Sequence, residues 1–294
     1  MARQVGERSC TLVTLDGVRR LLAMNQNTPD DYRYINVVRN QHIARLEMHR
    51  PAKANALSHA HLAEIEAAVL AFRDDAETRV VVICGAGKHF SSGADLDPVG
   101  DGGDPYKVPL VQRRRRMRQG ERTIEAILGM DQISIAAWQG AAMGGGACIA
   151  TACDFRVGAS NCFMQYPEID IGLNLMWKSL PLLVNLVGPA RTKRLVVGGE
   201  RIHAEQLHDW GVLDQLVAPD RLIDQAQDMA QHYAGKPPIA AQMIKQSTNQ
   251  IANAFGHAIM HMDVDQNLLA ANSKDRDRAV EAYLNKSKAV FSGD

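Results

Sequence analysis

The residues of this 294-residue chain whose types and spacing bear on chemistry are the glycines of two turns and two carboxylates set two apart. The first turn is Gly140-Ala-Ala-Met-Gly-Gly-Gly146. An apolar run at 133–138 reads as a buried strand leading into it, and the small, apolar residues 147–153 read as a helix packed on all sides. Glycines let a ligand approach the backbone closely, and the first amides of a helix lack internal partners and carry the positive end of its dipole. Strand, triple glycine and helix in that order make a pocket for a negatively charged oxygen. A tight turn with close helix packing explains the same residues equally well. The spacing matches neither G-x-G-x-x-G nor G-x-x-x-x-G-K-[ST], and no serine sits in a G-x-S-x-G elbow. What remains is a hole for an oxyanion that develops during a reaction, which needs a second donor and an acid or base.

Lys88-His-Phe-Ser-Ser-Gly-Ala-Asp-Leu96 offers the donor, since Gly93 can take a φ that turns the Ala94 amide outward. An ordinary Ser/Gly/Asp loop is the competing account. The carboxylates lie in Phe163-Met-Gln-Tyr-Pro-Glu-Ile-Asp-Ile-Gly172. In an extended segment Glu168 and Asp170 point to the same side, one able to face a pocket and the other a partner.

The elements that must position these residues follow from patterning. Residues 43–48 alternate as a half-wet strand, Pro51 opens a loop, and Leu62, Ile65, Val69 and Phe72 form one helical stripe. The β-branched run 79–84 reads as a strand buried on both faces, and 154–157 as another. Strands separated by helices predict an α/β fold with a mostly parallel sheet. A helix is expected over 108–128; its Arg113-Arg-Arg-Arg116 run cannot share one face and reads as solvated surface. A second helix is expected over 176–187, stopped by Gly188-Pro189, with helices from 190 onward broken near Lys236-Pro-Pro238. Residues 1–33 read as an extension of unassigned role, 34–230 as the catalytic core, and 231–294 as a helical region of the same domain.

Lysine plus arginine and aspartate plus glutamate both number 33, a balance that gives no general attraction to nucleic acid or an acidic membrane. Five scattered cysteines without zinc-site spacing predict reduced thiols and no metal. No run approaches a membrane span and no signal core opens the chain, so a cytoplasmic location is expected.

In order and spacing, seven phrases resemble the crotonase superfamily, the enoyl-CoA hydratases and isomerases. They are Arg50-Pro-x-Lys-x-Asn-Ala-Leu57, Phe90-Ser-Ser-Gly-Ala-Asp-Leu96, Gly140-x-x-Met-Gly-Gly-Gly146, Cys153-Asp154, Pro167-Glu168, Gly211-Val-Leu-Asp-Gln-Leu-Val217 and Tyr283-Leu-Asn-Lys-Ser-Lys288. The resemblance spans about residues 34–291. It implies a ClpP/crotonase-like spiral of ββα units, with C-terminal helices packing on the core or a neighbouring subunit, in a homotrimer or dimer of trimers. It implies an acyl-CoA substrate, coenzyme A entering only as part of that substrate, and no other cofactor. The amides of Ala94 and Gly145 would hold the thioester oxygen, with Glu168 as acid–base. Lys53, Ala54, Ala56, Ser92, Asp95 and Leu96 would contact the coenzyme, as would Lys288 and Phe291, often from a neighbouring subunit.

One departure matters. Hydratases of this family carry a further glutamate where this chain has Cys148, and their glycine-rich run after the second glutamate is replaced by Leu173-Asn-Leu-Met-Trp-Lys178. A thiol has a reference pKa near ~8.5 that burial raises, so it is a poor substitute for a carboxylate that orients water. The pattern is closer to the single-carboxylate enoyl-CoA isomerases. The aspartates of dienoyl-CoA isomerases would fall on Cys148 and Met176, which argues against that chemistry. Isomerisation with Glu168 as the single base is the expected reaction, with hydration assisted by Asp170 or a backbone amide as the alternative. A non-catalytic CoA- or RNA-binding relative, suggested by the arginine run, is opposed by the zero net charge. Met143, Met176 and Trp177 fit either helix packing or an apolar acyl pocket, with packing the first expectation.

Overall fold

Val-Val-Val-Ile-Cys-Gly at 80–85 is buried at every position, as a strand covered on both faces requires. In the computed structural model, which describes residues 32–95 and 108–294, it forms the interior of a six-stranded sheet. The strands are β1 (Ile35–Asn40), β2 (Ile43–Met48), β3 (Val80–Gly85), β4 (Ile133–Trp138), β5 (Ala141–Met143), β6 (Phe155–Ala159), β7 (Phe163–Gln165), β8 (Ile202–His203) and β9 (Gln215–Val217). The large sheet runs β1-β2-β3-β4-β6-β9, parallel except for the β1–β2 hairpin, and β5-β7-β8 make a second, smaller sheet. The helices are α1 (His59–Ala71), α2 (Leu110–Met117), α3 (Gln119–Leu128), α4 (Gly145–Ala152), α5 (Ser179–Val196), α6 (Ala204–Asp209), α7 (Leu222–Ala234), α8 (Pro238–Asn253), α9 (Gly256–Met260), α10 (Asp263–Ala271) and α11 (Lys274–Leu284).

The period-two alternation of β3 divides the core. Val81 and Ile83 face a large cluster with Leu62, Ile65 and Val69 of α1, Ile124 and Ile127 of α3, and Ala147 to Ile149 of α4. Val80, Val82 and Cys84 face Leu222, Ala226, Ala230 and Ala234 of α7. Every residue of α4 is buried, so its Gly/Ala/Cys/Thr composition is what allows close approach from all sides.

Where α4 ends, Asp154 joins three elements. Its Oδ2 accepts from the Ser134 amide at 2.7 Å and hydroxyl at 2.9 Å, and pairs with Lys245 Nζ of α8 at 2.8 Å. Lys245 also donates to Gln132 O at 2.6 Å, so the buried cation is fully engaged.

Three local expectations are corrected. The helix expected over 108–128 is two, because Arg118 sits at ψ −2, well off the helical value. Its arginines do keep to the solvated surface, where Arg114 makes a two-pronged exposed pair with Asp265 of α10, at 2.5 and 2.9 Å. The helix expected from 176 begins at Ser179 and continues through Gly188-Pro189 as a kink, Gly188 taking φ 76 and Pro189 opening the next turns. The region from 190 onward also holds the short strands β8 and β9. No helix among the described residues is long and apolar enough to cross a membrane.

Candidate active site

The loop at 50–57 and the turn at 91–95 are stitched into one unit. Buried Asn55 accepts from the Arg50 amide at 2.9 Å and donates to Ala86 O and His89 O at 2.9 and 2.8 Å. Ser91 Oγ donates to Asn55 O at 2.8 Å and receives the Gly93 amide at 3.2 Å. Leu57 and Asp95 then take up the flanking groups, Leu57 N to Gly93 O and Asp95 N to Leu57 O, at 2.8 and 3.1 Å. The Ala94 amide, between them, donates to no acceptor among the described residues.

The same turn lies beside the entry to α4, because Ser91 N bonds Ala141 O and Met143 N bonds Ser91 O, at 2.9 and 3.0 Å. Gly93, at φ +89, has no room for a side chain: a Cβ there would lie 2.7 Å from Met143 O and 3.6 Å from the Gly145 nitrogen. Gly144, at φ 46 and ψ −118, turns β5 into α4. Its own amide is taken by Gln165 O at 2.9 Å, which leaves the Gly145 amide, at the helix start, without an acceptor among the described residues. Two backbone donors without acceptors among the described residues therefore lie near the positive end of α4, Ala94 following the Gly93 that packs beside Gly145.

Glu168 lies on a 3₁₀ turn, Pro167–Ile171, that Pro167 opens. Its carboxylate rests on Gly144, where a Cβ would come within 2.4 Å of Oε1. The residue is half-buried, but Oε2 is enclosed with no hydrogen-bond partner. Burial raises its pKa from 4.5 to about 7; its own backbone N–H works against that rise and the nearby Asp170 charge adds to it.

The expectation that Glu168 and Asp170 share a side fails here. In a 3₁₀ turn residues two apart are about 120° from each other around the axis. Asp170 is exposed and lies instead against Gly199, each carboxylate oxygen 3.3 Å from a Cβ built there. Cys148, one turn into α4, is 1% exposed, and its thiol is pushed far up by burial and by the Glu168 charge. It is an inert neutral group at any ordinary pH.

Lys53, Ala54, Ala56, Ser92 and Asp95 gather on the stitched loops. Ser92 N bonds Ala54 O at 2.9 Å, Lys53 is exposed, and Ala56 is buried. Asp95 is held by Arg50 Nη2 at 2.8 Å. Leu96 lies outside the described residues. Lys288 and Phe291 line a different cavity of about 390 Å³, together with Ile169 and Asp170 of the same chain. No cluster of histidine, cysteine or carboxylate side chains among the described residues is arranged to hold a metal ion.

One contributor escaped the sequence reading and another stands between two roles in it. Asn55 was visible only as a letter in a matching phrase, although a buried amide with three backbone partners is what welds the two loops. Trp177 is 9% exposed and stands between Gly120 of α3 and Gly145 of α4; a Cβ on either would overlap its ring, at 1.9 and 2.2 Å. That is the helix packing the sequence reading puts first for Trp177, and the glycine at 120, inside an otherwise helical run, is what admits the ring.

The sequence profile described as Enoyl-CoA hydratase/isomerase matches residues 38–294. A crotonyl-CoA hydratase of Syntrophomonas wolfei is 29% identical over 88% of this chain and 98% of its own length. A carnitinyl-CoA dehydratase of Salmonella enteritidis is 30% identical over 88% and 98%. An enoyl-CoA hydratase structure from Mycobacterium avium superposes with a TM-score of 0.78 over 88% of this chain and 99% of that one; at 23% identity it speaks for the fold. A crotonase fold, two unpaired amides at a glycine turn and a profile match over nearly the whole described chain lead to one assignment: this protein belongs to the enoyl-CoA hydratase/isomerase family of acyl-CoA enzymes.

Proposed function

We propose that the protein moves the double bond of an enoyl-CoA thioester, with Glu168 as its single base. The thioester oxygen sits between the amides of Ala94 and Gly145. Glu168 takes a proton from C2 of a 3-enoyl thioester, the electron pair passes into the carbonyl as a dienolate, and the same carboxyl returns the proton to C4. The product is the 2-enoyl thioester, at constant mass. Two preorganised donors hold a developing enolate more strongly than a ground-state carbonyl, and removal of one such donor typically costs about 2.7–4 kcal/mol of barrier. A carboxyl with a pKa near 7 is matched to taking and returning a proton near neutrality.

The observation that carries this reading is the single enclosed carboxylate at the amide pair. The neighbouring position on α4 is a neutral thiol, and Asp170 is directed to Gly199. Hydration is the second reading, favoured by the hydratase and dehydratase names of the relatives. It requires water to be held without a second carboxylate. Mass spectrometry of 2- and 3-enoyl-CoA incubations separates the two. Rearrangement at unchanged mass is expected, and efficient gain of one water by the parent would overturn the isomerase reading.

A further inference from the structure

We infer that Trp177 is the end wall of the acyl site and restricts the substrate to short acyl chains. The inference rests on the reaction proposed above and names which acyl-CoA esters the same site accepts.

The position of the indole carries the argument. Gly145 offers the free amide and Glu168 rests on Gly144, so the carbon that loses its proton lies over the first turn of α4. In that proposed pose the remaining acyl carbons would run across the face of α4 that carries Gly145 and, one turn on, Cys148. Trp177 stands against that face. A Cβ on Gly145 would lie 2.2 Å from Cζ3 and 2.3 Å from Cη2, and one on Gly120 would lie 1.9 Å from Cε2. The ring therefore lies against the backbones of both helices and fills the gap between Gly120 and Gly145.

The wall is also fixed. Trp177 and Lys178 both occupy the left-handed region, at φ 64 and 56, where residues with a Cβ are strained. Their surroundings hold them there. The Lys178 amide donates to Asp263 Oδ2 of α10 at 2.8 Å, and Lys178 Nζ pairs with Glu121 of α3 at 3.2 Å and with Glu125. Ser179 Oγ closes onto Trp177 O at 3.2 Å. Glu121 and Asp263 are themselves buried. Two adjacent strained residues anchored at three points do not swing aside to admit a longer chain. A residue that only filled space between helices would need neither the left-handed backbone nor the buried anchors.

The test is the chain-length profile of kcat/KM for 3-enoyl-CoA esters of four to twelve carbons. It is measured on the full chain and on Trp177→Ala and Trp177→Phe. A pocket that rejects one methylene discriminates by about 10–200-fold. The parent is expected to favour the shortest esters and to fall steeply beyond about six carbons. Trp177→Ala should raise the ratio of ten-carbon to four-carbon kcat/KM by at least about tenfold. Trp177→Phe, which keeps a ring in the gap, should stay close to the parent. Equal use of four- and ten-carbon esters by the parent would overturn the inference whether or not either variant folds. A uniform loss at all lengths in Trp177→Ala would also overturn it, showing that the indole only holds the helix in place. Absence of turnover at every length would instead count against the proposed reaction. The wall would then be read from binding of saturated acyl-CoA esters, expected to be tight when short and weak when long in the parent and levelled in Trp177→Ala.

Discussion

Helix α4 has a carboxylate at each end, and the two are treated in opposite ways. Asp154, just past its C-terminal end, receives two donors from Ser134 and the ammonium of Lys245. Glu168, at its N-terminal end, has an enclosed oxygen with no donor at all. A satisfied buried ion pair fixes geometry, because removing one partner strands the other in a poor solvent. An unsatisfied carboxyl does the reverse: it gives up stability to keep a proton affinity near neutrality. On the proposed reading, the contrast separates the end of the helix that holds the fold from the end that does chemistry.

Breaking the N-terminal end should have the largest effect on turnover. Glu168→Gln keeps size and polarity but cannot accept a proton, and general-base loss of this kind lowers rates by about 10²–10⁴-fold. Steady-state kcat should show that fall, while calorimetric binding of a CoA product survives because both amides are untouched. The base must be ionised to act, so kcat/KM of the parent should decline as pH drops through about 7. The same substitution should stabilise the fold. The folded-state pKa of Glu168 lies above its ordinary 4.5, so its favourable contribution is present below that value and is lost as pH rises to about 7. Glu168→Gln should therefore raise the unfolding free energy at pH 8, by on the order of 1–3 kcal/mol, and leave it nearly unchanged at pH 4. A variant no more stable at pH 8 than the parent would mean that the carboxylate finds partners in solution.

Breaking the C-terminal end should do the opposite. Lys245→Met leaves Asp154 enclosed and unpaired by a cation, a loss of about 3–5 kcal/mol. Denaturant unfolding should report it, while kcat of the surviving folded enzyme stays within about twofold, since Lys245 touches nothing at the other end of α4. The double change Asp154→Asn with Lys245→Met should recover part of the loss. If the single variant alters kcat as much as Glu168→Gln does, the division between the two ends does not hold.

The N-terminal end was largely legible in the sequence, and the reason is local. Gly93, Gly144 and Gly145 sit in turns whose backbone only glycine suits, and a proline announces the segment of Glu168. What was lost depended on tertiary context. The segment after Pro167 looked extended, because five residues are too few to show a 3₁₀ period; reading Pro167 as a helix start would have separated Glu168 from Asp170. The left-handed pair Trp177-Lys178 follows no residue preference, so a helix was expected to run through it. The anchors that hold that pair, Glu121 and Asp263, are 142 positions apart in sequence and meet only in the fold. The partners of Asp154 were equally out of reach, for Lys245 lies on a helix whose docking no local pattern specifies.

The smallest effect is expected at Cys148, midway along the comparison. It lies on the chemical side of α4, yet its thiol is buried and its pKa is driven upward, first by that burial and then by the Glu168 charge. A neutral thiol neither takes a proton nor holds water firmly, so Cys148→Ala and Cys148→Ser should change kcat by less than about threefold, with a loss of only about 1 kcal/mol or so of packing. Native enzyme should resist alkylation at this position, a result that peptide mass mapping reads directly. Cys148→Glu sharpens the point, because it sets a second carboxylate beside the first. Two like charges at that distance raise the pKa of one of them, leaving one proton shared across the site. That arrangement can hold and activate water, so the variant should gain a product one water heavier that the parent does not make. An inactive Cys148→Ala, in an enzyme that already hydrates, would place the thiol in the mechanism and remove the single-base reading altogether.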